Sequence, residues 1–215
     1  QESSAWLFFE KMKFRIAILA SGDGTNAEAI INHFIDHPSI SVVLVLSNRA
    51  EAGVLKRAES SGVPSRVFGR HQFQVNEVKT WLEEEKITHV VLAGFLWLIP
   101  SSLLQAFPDR IVNIHPALLP KFGGKGMFGQ KVHEAILAAG EKESGVTIHL
   151  VNEKFDDGRI LFQARCAVLP GDSAETLAAR VRALEHVHYP RVIEQWILNL
   201  SPDSDHASTP LGMTM

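Results

Sequence analysis

Cysteine is nearly absent from this sequence: Cys166 is the only one among 215 residues. A single thiol cannot form an internal disulfide, and the chain has no Cys/His pattern typical of a zinc site. We therefore expect no structural metal and a reducing, cytoplasmic location. Cys166 lies in the apolar run LFQARCAVLP, where a small core residue is the favoured interpretation.

Long hydrophobic runs are also missing. The longest, His89–Pro100, is shorter than the roughly 20 residues that span a bilayer, so no membrane partner is expected. The amino terminus has a short apolar run followed by charges, which does not match a signal peptide. Because Met12 is a plausible natural start, we expect a leader or added residues over 1–11, a single domain over 12–200 and a flexible tail over 201–215.

No charge of one sign dominates. The 21 lysines and arginines face 24 aspartates and glutamates, which gives a net charge of −3. This balance disfavours a polycation for duplex nucleic acid, so we expect no nucleic-acid partner. The content of 46% apolar and 21% charged residues is close to that of an average folded domain and excludes global disorder.

Strand-like apolar runs alternate with helical patterns along the chain. Strands are expected at 14–20, 40–46, 65–68, 89–93 and 111–115, and helices at 26–37, 54–61, 75–86, 100–107 and 130–139. A strand pair at 145–152 and 159–168 then precedes a long helix over about 174–198, which Asp172-Ser173 caps. This order predicts an α/β fold, a doubly wound and mainly parallel sheet with helices on both faces. Ligands of such sheets bind at the carboxyl ends of the strands.

A glycine-containing turn follows the first strand. The segment SGDGTNA at Ser21–Ala27 would place free backbone N–H groups at the start of a helix, where anions bind. Its G-x-G-x-x-A spacing also matches a dinucleotide fingerprint. The second strand ends in Ser47-Asn48-Arg49 instead of the acidic residue of an NAD site, although an arginine suits NADP. Phosphate binding is the favoured interpretation, with a dinucleotide site and a plain tight turn as alternatives.

A second group of polar residues ends the strand at 111–115. Asn113 and His115 are two residues apart and therefore point to the same face. The rigid Pro116 and the glycine-rich loop beyond it favour a functional site over a structural histidine. An amide donor and an imidazole suit a reaction that develops an oxyanion at a carbonyl carbon. A carboxylate, from Asp156 or Asp157, would orient the imidazole and is expected to raise the pKa of His115.

No nucleophile for covalent catalysis is evident. The sequence lacks G-x-S-x-G, and Cys166 lies in a strand-like run. This favours direct transfer between two bound substrates. No group of His, Asp and Glu has the spacing of metal ligands, so no catalytic metal is predicted.

Five segments together carry a family resemblance. The segments SGDGTNAEAI, LAGFLWLI, NIHPALLPKFGGKGM, SGVTIHLVNEKFDDG and LEHVHYP resemble those of glycinamide ribonucleotide formyltransferases. The resemblance covers Met12 to about Leu198. It implies a formyltransferase-like variant of the Rossmann fold, acting as a monomer or homodimer. It also implies transfer of a formyl group from 10-formyltetrahydrofolate, a co-substrate, to the amine of 5-phosphoribosylglycinamide in de novo purine biosynthesis.

The resemblance further implies roles for individual residues. The family has its catalytic acid directly after a large apolar residue, here Phe155, which selects Asp156 over Asp157. The implied catalytic residues are Asn113, His115 and Asp156; the ribonucleotide contacts are Gly24, Thr25, Asn26 and Glu185; the folate contacts are Arg70, Leu96, Trp97, Leu98, Ile99 and Asn113.

The chain departs from the family pattern in two places. Trp97 stands where arginine is frequent, and the loop 122–129 is longer and richer in glycine than in many members. Methionyl-tRNA and amino-sugar formyltransferases share the Asn-x-His and Asp pattern but carry a further domain, and formyltetrahydrofolate deformylase carries a leading regulatory domain. We expect neither domain here. A non-catalytic nucleotide-binding module, the alternative from another class, would need neither Asn113 nor His115.

Overall fold

A computed structural model of the chain describes residues 13–199. The expected leader and tail, 1–11 and 201–215, lie outside the described residues, and the single domain over 12–200 stays a prediction. Within the described part, no helix is both long enough and apolar enough to cross a membrane.

Seven strands form one sheet in the order β3-β2-β1-β4-β5-β6-β7. Their bounds are β1 Phe14–Ala20, β2 Ile40–Ser47, β3 Ser65–Val67, β4 His89–Leu92, β5 Ile111–His115, β6 Glu143–Leu150 and β7 Ile160–Ala167. The first five strands pair in parallel, whereas β6 runs antiparallel to β5 and β7 antiparallel to β6. The chain builds outward from β1 to β3 and then returns to place β4 on the other side of β1. This switch point is where an open α/β sheet forms its ligand crevice.

Helices cover both faces of the sheet. Their bounds are α1 Thr25–Phe34, α2 Gly53–Ser60, α3 Arg70–Gln74, α4 Glu77–Glu84, α5 Ser101–Ala106, α6 Gln130–Ala138 and α7 Ala174–Asn199. On β1, Ile16 and Ile18 belong to a core shared with α1, α2, α6 and α7. Ala17 and Leu19, on the opposite face, belong to a core shared with α3, α4 and α5. The predicted doubly wound, mainly parallel sheet is therefore confirmed.

The predicted helix over 75–86 is confirmed as α4, two residues shorter at each end, but a separate short helix, α3, precedes it and was not predicted. Asn76 has φ 66°, a left-handed conformation that ends one helix and starts the next. The unpredicted helix α3 buries only Phe73, so it has no apolar period that the sequence could show. It begins at Arg70, which it places beside the carboxyl edge of the sheet.

Two expectations on the last elements have different outcomes. The cap of α7 is confirmed: the Thr176 N–H donates to Ser173 Oγ at 3.3 Å, and the Ser173 N–H donates to Thr176 Oγ1 at 2.9 Å. The assignment of Cys166 to the core is confirmed in part: its side chain is half-buried and packs against the edge of the core shared with α1, α2, α6 and α7. Cys166 lies on β7, an edge strand of the sheet, where one side of the strand has no neighbouring strand.

Helix α7 is tied to the middle of the sheet by one phenol. The fully buried Tyr189 donates its hydroxyl proton to the Leu92 carbonyl at 2.8 Å, and the Val112 carbonyl lies at 3.3 Å. A buried hydroxyl needs such partners, because an unsatisfied one is costly. The bond fixes α7 against the ends of β4 and β5, so that one face of the helix borders the crevice.

Candidate active site

A cavity of about 1020 Å³ opens at the carboxyl ends of β1, β4 and β5. Its position agrees with the switch point of the sheet. The walls come from α1, the segment after β4, β5, the glycine-rich loop, the β6–β7 loop and α7, including Asn26, Arg70, Gly94–Leu98, Asn113–Pro116, Gly124–Gln130, His133, Phe155, Asp156, Arg182 and Glu185. A space of this size can hold two small-molecule substrates together.

His115 ends β5 at the floor of this cavity. Its side chain is 4% exposed. The ring Nε2 lies 2.8 Å from the Phe122 carbonyl, which can only accept, so Nε2 carries the proton. The other nitrogen, Nδ1, faces Asp156 Oδ2 at 3.5 Å. That distance exceeds an ordinary hydrogen bond, as expected when no proton lies between a neutral imidazole nitrogen and a carboxylate.

Asp156 is brought to His115 by the loop between β6 and β7. Its backbone is left-handed, with φ 53°, and its Oδ2 accepts a hydrogen bond from the Gly124 N–H at 2.9 Å. Asp157 points elsewhere: its side chain is 53% exposed and accepts a hydrogen bond from Asn152 at 3.1 Å. Of the two carboxylates that the sequence offers, the structure joins Asp156 to the polar group on β5.

Electrostatics at this group differ from the sequence-based expectation. Burial lowers the pKa of His115, and it outweighs the charge of Asp156 and the hydrogen bond to Phe122, which act to raise that pKa. The expected raised pKa is therefore wrong. The raised pKa would require a well hydrated Asp156 carboxylate near the cavity mouth. Its side chain is instead only 11% exposed, so both members of the pair are buried. At neutral pH the imidazole of the free protein is neutral.

Asp156 itself stays ionised. Burial acts to raise its pKa, but contacts with His149, the charge of His115 and the Gly124 N–H together hold that pKa below its ordinary value. Asn113, on the same face of β5, has its Nδ2 3.5 Å from Asp156 Oδ1. The cavity wall thus presents an amide, a neutral imidazole and a carboxylate within reach of one another.

The glycine turn forms the opposite end of the cavity region. Helix α1 starts at Thr25 with no side-chain cap on its first N–H groups, and Gly24 has φ 78°. Asn26 lines the cavity and donates to Glu185 Oε2 at 2.8 Å, while burial raises the pKa of Glu185. Such a helix start suits an anion. Of the three turn residues that the sequence predicts as contacts, Asn26 lines the cavity, whereas Gly24 and Thr25 do not.

The dinucleotide alternative finds little support in the geometry. Arg49, the residue that would meet a 2′-phosphate, is largely exposed and pairs with Glu51 at 3.4 Å. It is not part of the cavity wall.

Aromatic rings form and support the wall on the β4 side: Phe95 and Trp97 line the cavity, and Phe68 and Phe73 pack in the core behind them. The rings of Phe68, Phe73, Phe95 and Trp97 contact one another, with centroids 5.2 to 6.2 Å apart. The guanidinium of Arg70 lies 4.5 Å from the centre of a Trp97 ring, a cation–π contact.

The segment after β4 completes this wall. Leu96 and Leu98 line the cavity as well, and the Leu96 N–H donates to Ser21 Oγ at 3.1 Å. Ile99 does not line it: the side chain is 3% exposed and packs in the core beneath the wall.

Three residues of the site escaped the sequence reasoning. Arg182 and His133 line the cavity from α7 and α6, and His149 is the cross-strand neighbour of Asn113 on β6. The first two sit on helices whose charged and apolar residues give no sign of which face meets a ligand. His149 belongs to the quoted segment SGVTIHLVNEKFDDG, but only the antiparallel register of β5 and β6 brings it to Asn113.

Among residues 13–199, no three His, Cys, Asp or Glu side chains are grouped so as to hold a metal ion. The predicted lack of a metal stays a prediction.

The fold and the site define an α/β protein with a small-molecule site of enzyme type at the switch point of its sheet. The chain belongs to the formyl transferase family, whose profile matches residues 14–193.

Relatives and solved structures agree with this family. The chain is 42% identical over 191 residues to the chloroplastic phosphoribosylglycinamide formyltransferase of Arabidopsis thaliana, covering 86% of this chain and 65% of the relative. It is 37% identical over 187 residues to phosphoribosylglycinamide formyltransferase of Haemophilus influenzae, covering 84% and 85%. The crystal structure of that enzyme from Anaplasma phagocytophilum has a TM-score of 0.81 at 35% identity, covering 94% of this chain and 97% of that chain. The chain thus spans less than two thirds of the Arabidopsis relative.

Proposed function

We propose that this chain transfers a formyl group from 10-formyltetrahydrofolate to the amine of 5-phosphoribosylglycinamide, a step of de novo purine biosynthesis. The observation that carries the proposal is the group of Asn113, His115 and Asp156 on the floor of a cavity that adjoins an uncapped helix start. The relatives named above bear the name of this activity. Because other formyltransferases and the deformylase share the same three residue types, the assay below compares these activities.

The reaction proceeds by direct attack. The substrate amine forms a C–N bond to the formyl carbon, and the formyl oxygen becomes an oxyanion in a tetrahedral intermediate. An N–H of the Asn113 amide donates to that oxyanion. The intermediate then collapses with cleavage of the bond from the formyl carbon to N10 of the folate. No covalent bond to the protein is formed.

One proton must move from the amine to N10 during this reaction. His115 enters neutral, because burial holds its pKa down, and its Nδ1 faces Asp156 with no proton between them. The pair therefore accepts the amine proton, and Asp156 stabilises the imidazolium so formed. The same proton is then delivered to N10. This order of events follows from the lowered pKa of His115 and not from the raised pKa that the sequence led us to expect.

The anion end is assigned to the ribonucleotide. Backbone N–H groups of Gly24, Thr25 and Asn26 would meet the phosphate, with Arg182 supplying a positive charge at the same end of the cavity. Glu185, held by Asn26, is placed to accept hydrogen bonds from ribose hydroxyls.

The aromatic wall is assigned to the folate. Leu96, Trp97 and Leu98 offer an apolar surface for the ring system, and Asn113 reaches the formyl group at its inner end. The guanidinium of Arg70, on Trp97, suits a carboxylate of the folate tail. Ile99 supports the wall from the core beneath it.

A spectrophotometric assay tests the proposal. Purified protein receives 5-phosphoribosylglycinamide and a 10-formyl folate analogue, with His115→Ala as the control that removes the reacting group. Turnover that needs both substrates and is lost in the control supports the proposal. Release of formate without an acceptor amine would indicate a deformylase, and turnover with an amino sugar or methionyl-tRNA would indicate the other transferases. Binding of NADP would restore the dinucleotide alternative.

The remaining features of the proposal are a cytoplasmic location and a monomeric or homodimeric state, with neither nucleic acid nor membrane as a partner and no metal. The single half-buried Cys166 is compatible with a reducing compartment.

A further inference from the structure

His149 lies beside Asn113 on the neighbouring strand β6 and has no part in the mechanism so far. It is 2% exposed and pairs with Asn113 across the antiparallel register of β5 and β6. It does not line the cavity, so we assign it a role through its neighbours and not through the substrate. A buried imidazole needs partners for both nitrogens, and those partners determine what it does.

The partners of His149 fix its tautomer. Its Nδ1 lies 2.8 Å from the Leu150 carbonyl, which can only accept, so Nδ1 carries a proton. In the neutral ring Nε2 then has a free lone pair. Asn113 Nδ2 lies 3.1 Å from that nitrogen and donates to it.

This bond decides which way the Asn113 amide points. The NH₂ group lies beside His149 Nε2 at 3.1 Å and Asp156 Oδ1 at 3.5 Å, and these two atoms are 3.7 Å from each other, so the amide N–H groups are the donors available to both. A flipped amide would place its oxygen against a lone pair and a carboxylate, which are both repulsive. One N–H of the amide is held firmly by His149. The second, in a long contact with Asp156, is available to a stronger acceptor in the cavity.

We propose that His149 is a positioning residue that acts through Asn113: its Nε2 lone pair holds the amide so that one N–H meets the oxyanion. The inference rests on the proposed function, because the oxyanion it refers to is the one formed during formyl transfer. The Leu150 carbonyl then orients the His149 imidazole, and the imidazole in turn orients the Asn113 amide. Partners of this kind around a reacting residue contribute about 10- to 100-fold.

Two substitutions of His149 separate its hydrogen bond to Asn113 from its hydrogen bond to the Leu150 carbonyl. In His149→Gln the longer side chain brings an amide oxygen to the place of Nε2, so the acceptor for Asn113 is kept. In His149→Asn the shorter side chain keeps a donor for the Leu150 carbonyl but has no acceptor that reaches Asn113. We expect kcat to fall about 10- to 100-fold in His149→Asn, with both KM values within about twofold of wild type. The glutamine variant should recover most of kcat.

A double-mutant cycle tests whether His149 acts through Asn113. In an Asn113→Ala background, His149→Asn should cause less than about a twofold further loss of kcat. An equal loss in both backgrounds would overturn the proposal, as would a His149→Gln variant no better than His149→Asn at the same thermal stability.

Nuclear magnetic resonance tests the arrangement without any reaction. A ¹⁵N–¹⁵N coupling across the hydrogen bond should join Asn113 Nδ2 to His149 Nε2, and the Nε2 shift should be that of an unprotonated nitrogen. No coupling, or a protonated Nε2, overturns the inference whatever the activity. A clear coupling in a protein that does not transfer formyl groups would leave the arrangement intact and reject the proposed function instead.

Discussion

The two ends of the cavity differ in the groups that form them, which are backbone N–H groups at one end and side chains at the other. The proposed anion end consists of backbone N–H groups from one continuous turn, Gly24 to Asn26, and is shaped by a glycine conformation. The reacting end consists of buried side chains from β5 and the β6–β7 loop, 41 positions apart between His115 and Asp156 (156 − 115). A backbone site is secured by the fold, whereas a side-chain site depends on each hydrogen bond. Substitutions should therefore affect stability at the first end and activity at the second.

The largest effect on activity is expected at the reacting end. Asp156→Asn keeps an oxygen that can accept from the Gly124 N–H, so the fold should survive. It removes the charge that stabilises protonated His115. We expect kcat to fall about 10²- to 10³-fold, the range seen when one group that stabilises a transition state is lost. Steady-state kinetics, with circular dichroism as a check on folding, measures it.

The matched control is the neighbouring carboxylate. Asp157→Asn removes an exposed side chain that contacts Asn152 and Lys154. Its kcat should stay within about threefold of wild type, since exposed pairs of this kind contribute little. Similar losses in both variants would remove the basis for assigning the reacting carboxylate to Asp156.

The second effect, on stability, sharpens the comparison at the anion end. Gly24 has φ 78°, and a Cβ placed there would lie 2.5 Å from Val54 Cβ. Gly24→Val should therefore lower the free energy of unfolding by at least about 1–3 kcal/mol, the cost of a left-handed backbone. The glycine turn by itself would predict that this variant raises the KM of the ribonucleotide. Because the variant also destabilises the fold, unfolding and not KM is the quantity to measure.

Gly22→Ala is the control for this backbone effect. A Cβ at Gly22 meets nothing within 4 Å, so urea unfolding should change by less than about 0.5 kcal/mol. Equal unfolding midpoints for Gly24→Val and wild type would show that the turn is not held as described.

The same contrast explains what could be predicted from the sequence. The anion turn is contiguous, and the period of two places Asn113 and His115 on one face, so local patterns are enough to indicate both. The choice of Asp156 needed a family resemblance, because Asp156 and Asp157 are equivalent by spacing. His149 could not be found, since it reaches Asn113 through an antiparallel register. The direction of the His115 pKa shift could not be found either, because burial depends on packing that no local pattern reveals.

A third prediction concerns the charge at the anion end. Arg182 lines the cavity, and its charge acts on Glu185, the residue that accepts a hydrogen bond from Asn26 of the glycine turn. Arg182→Gln should raise the KM of the ribonucleotide about tenfold, equivalent to about 1.4 kcal/mol, and leave that of the folate within about twofold. Arg49→Gln, at an exposed arginine outside the cavity, is the control. A larger effect on folate would reverse the assignment of the two ends.

The smallest effect expected is on the titration of His115. Burial lowers its pKa, and Asp156 is the largest influence in the opposite direction, helped by the Phe122 carbonyl and opposed by His149. Removing the carboxylate charge in Asp156→Asn should lower the pKa further, so the neutral ring persists to more acidic pH. Because the folded state resists protonating this ring, its contribution to stability is lost as pH falls from the ordinary histidine range toward the lowered pKa. Titration by nuclear magnetic resonance should place both proteins below the ordinary value, with wild type the higher. A wild-type pKa above the ordinary value would show that the carboxylate outweighs burial, and His115 would then enter the reaction as a donor to the oxyanion rather than as a proton acceptor.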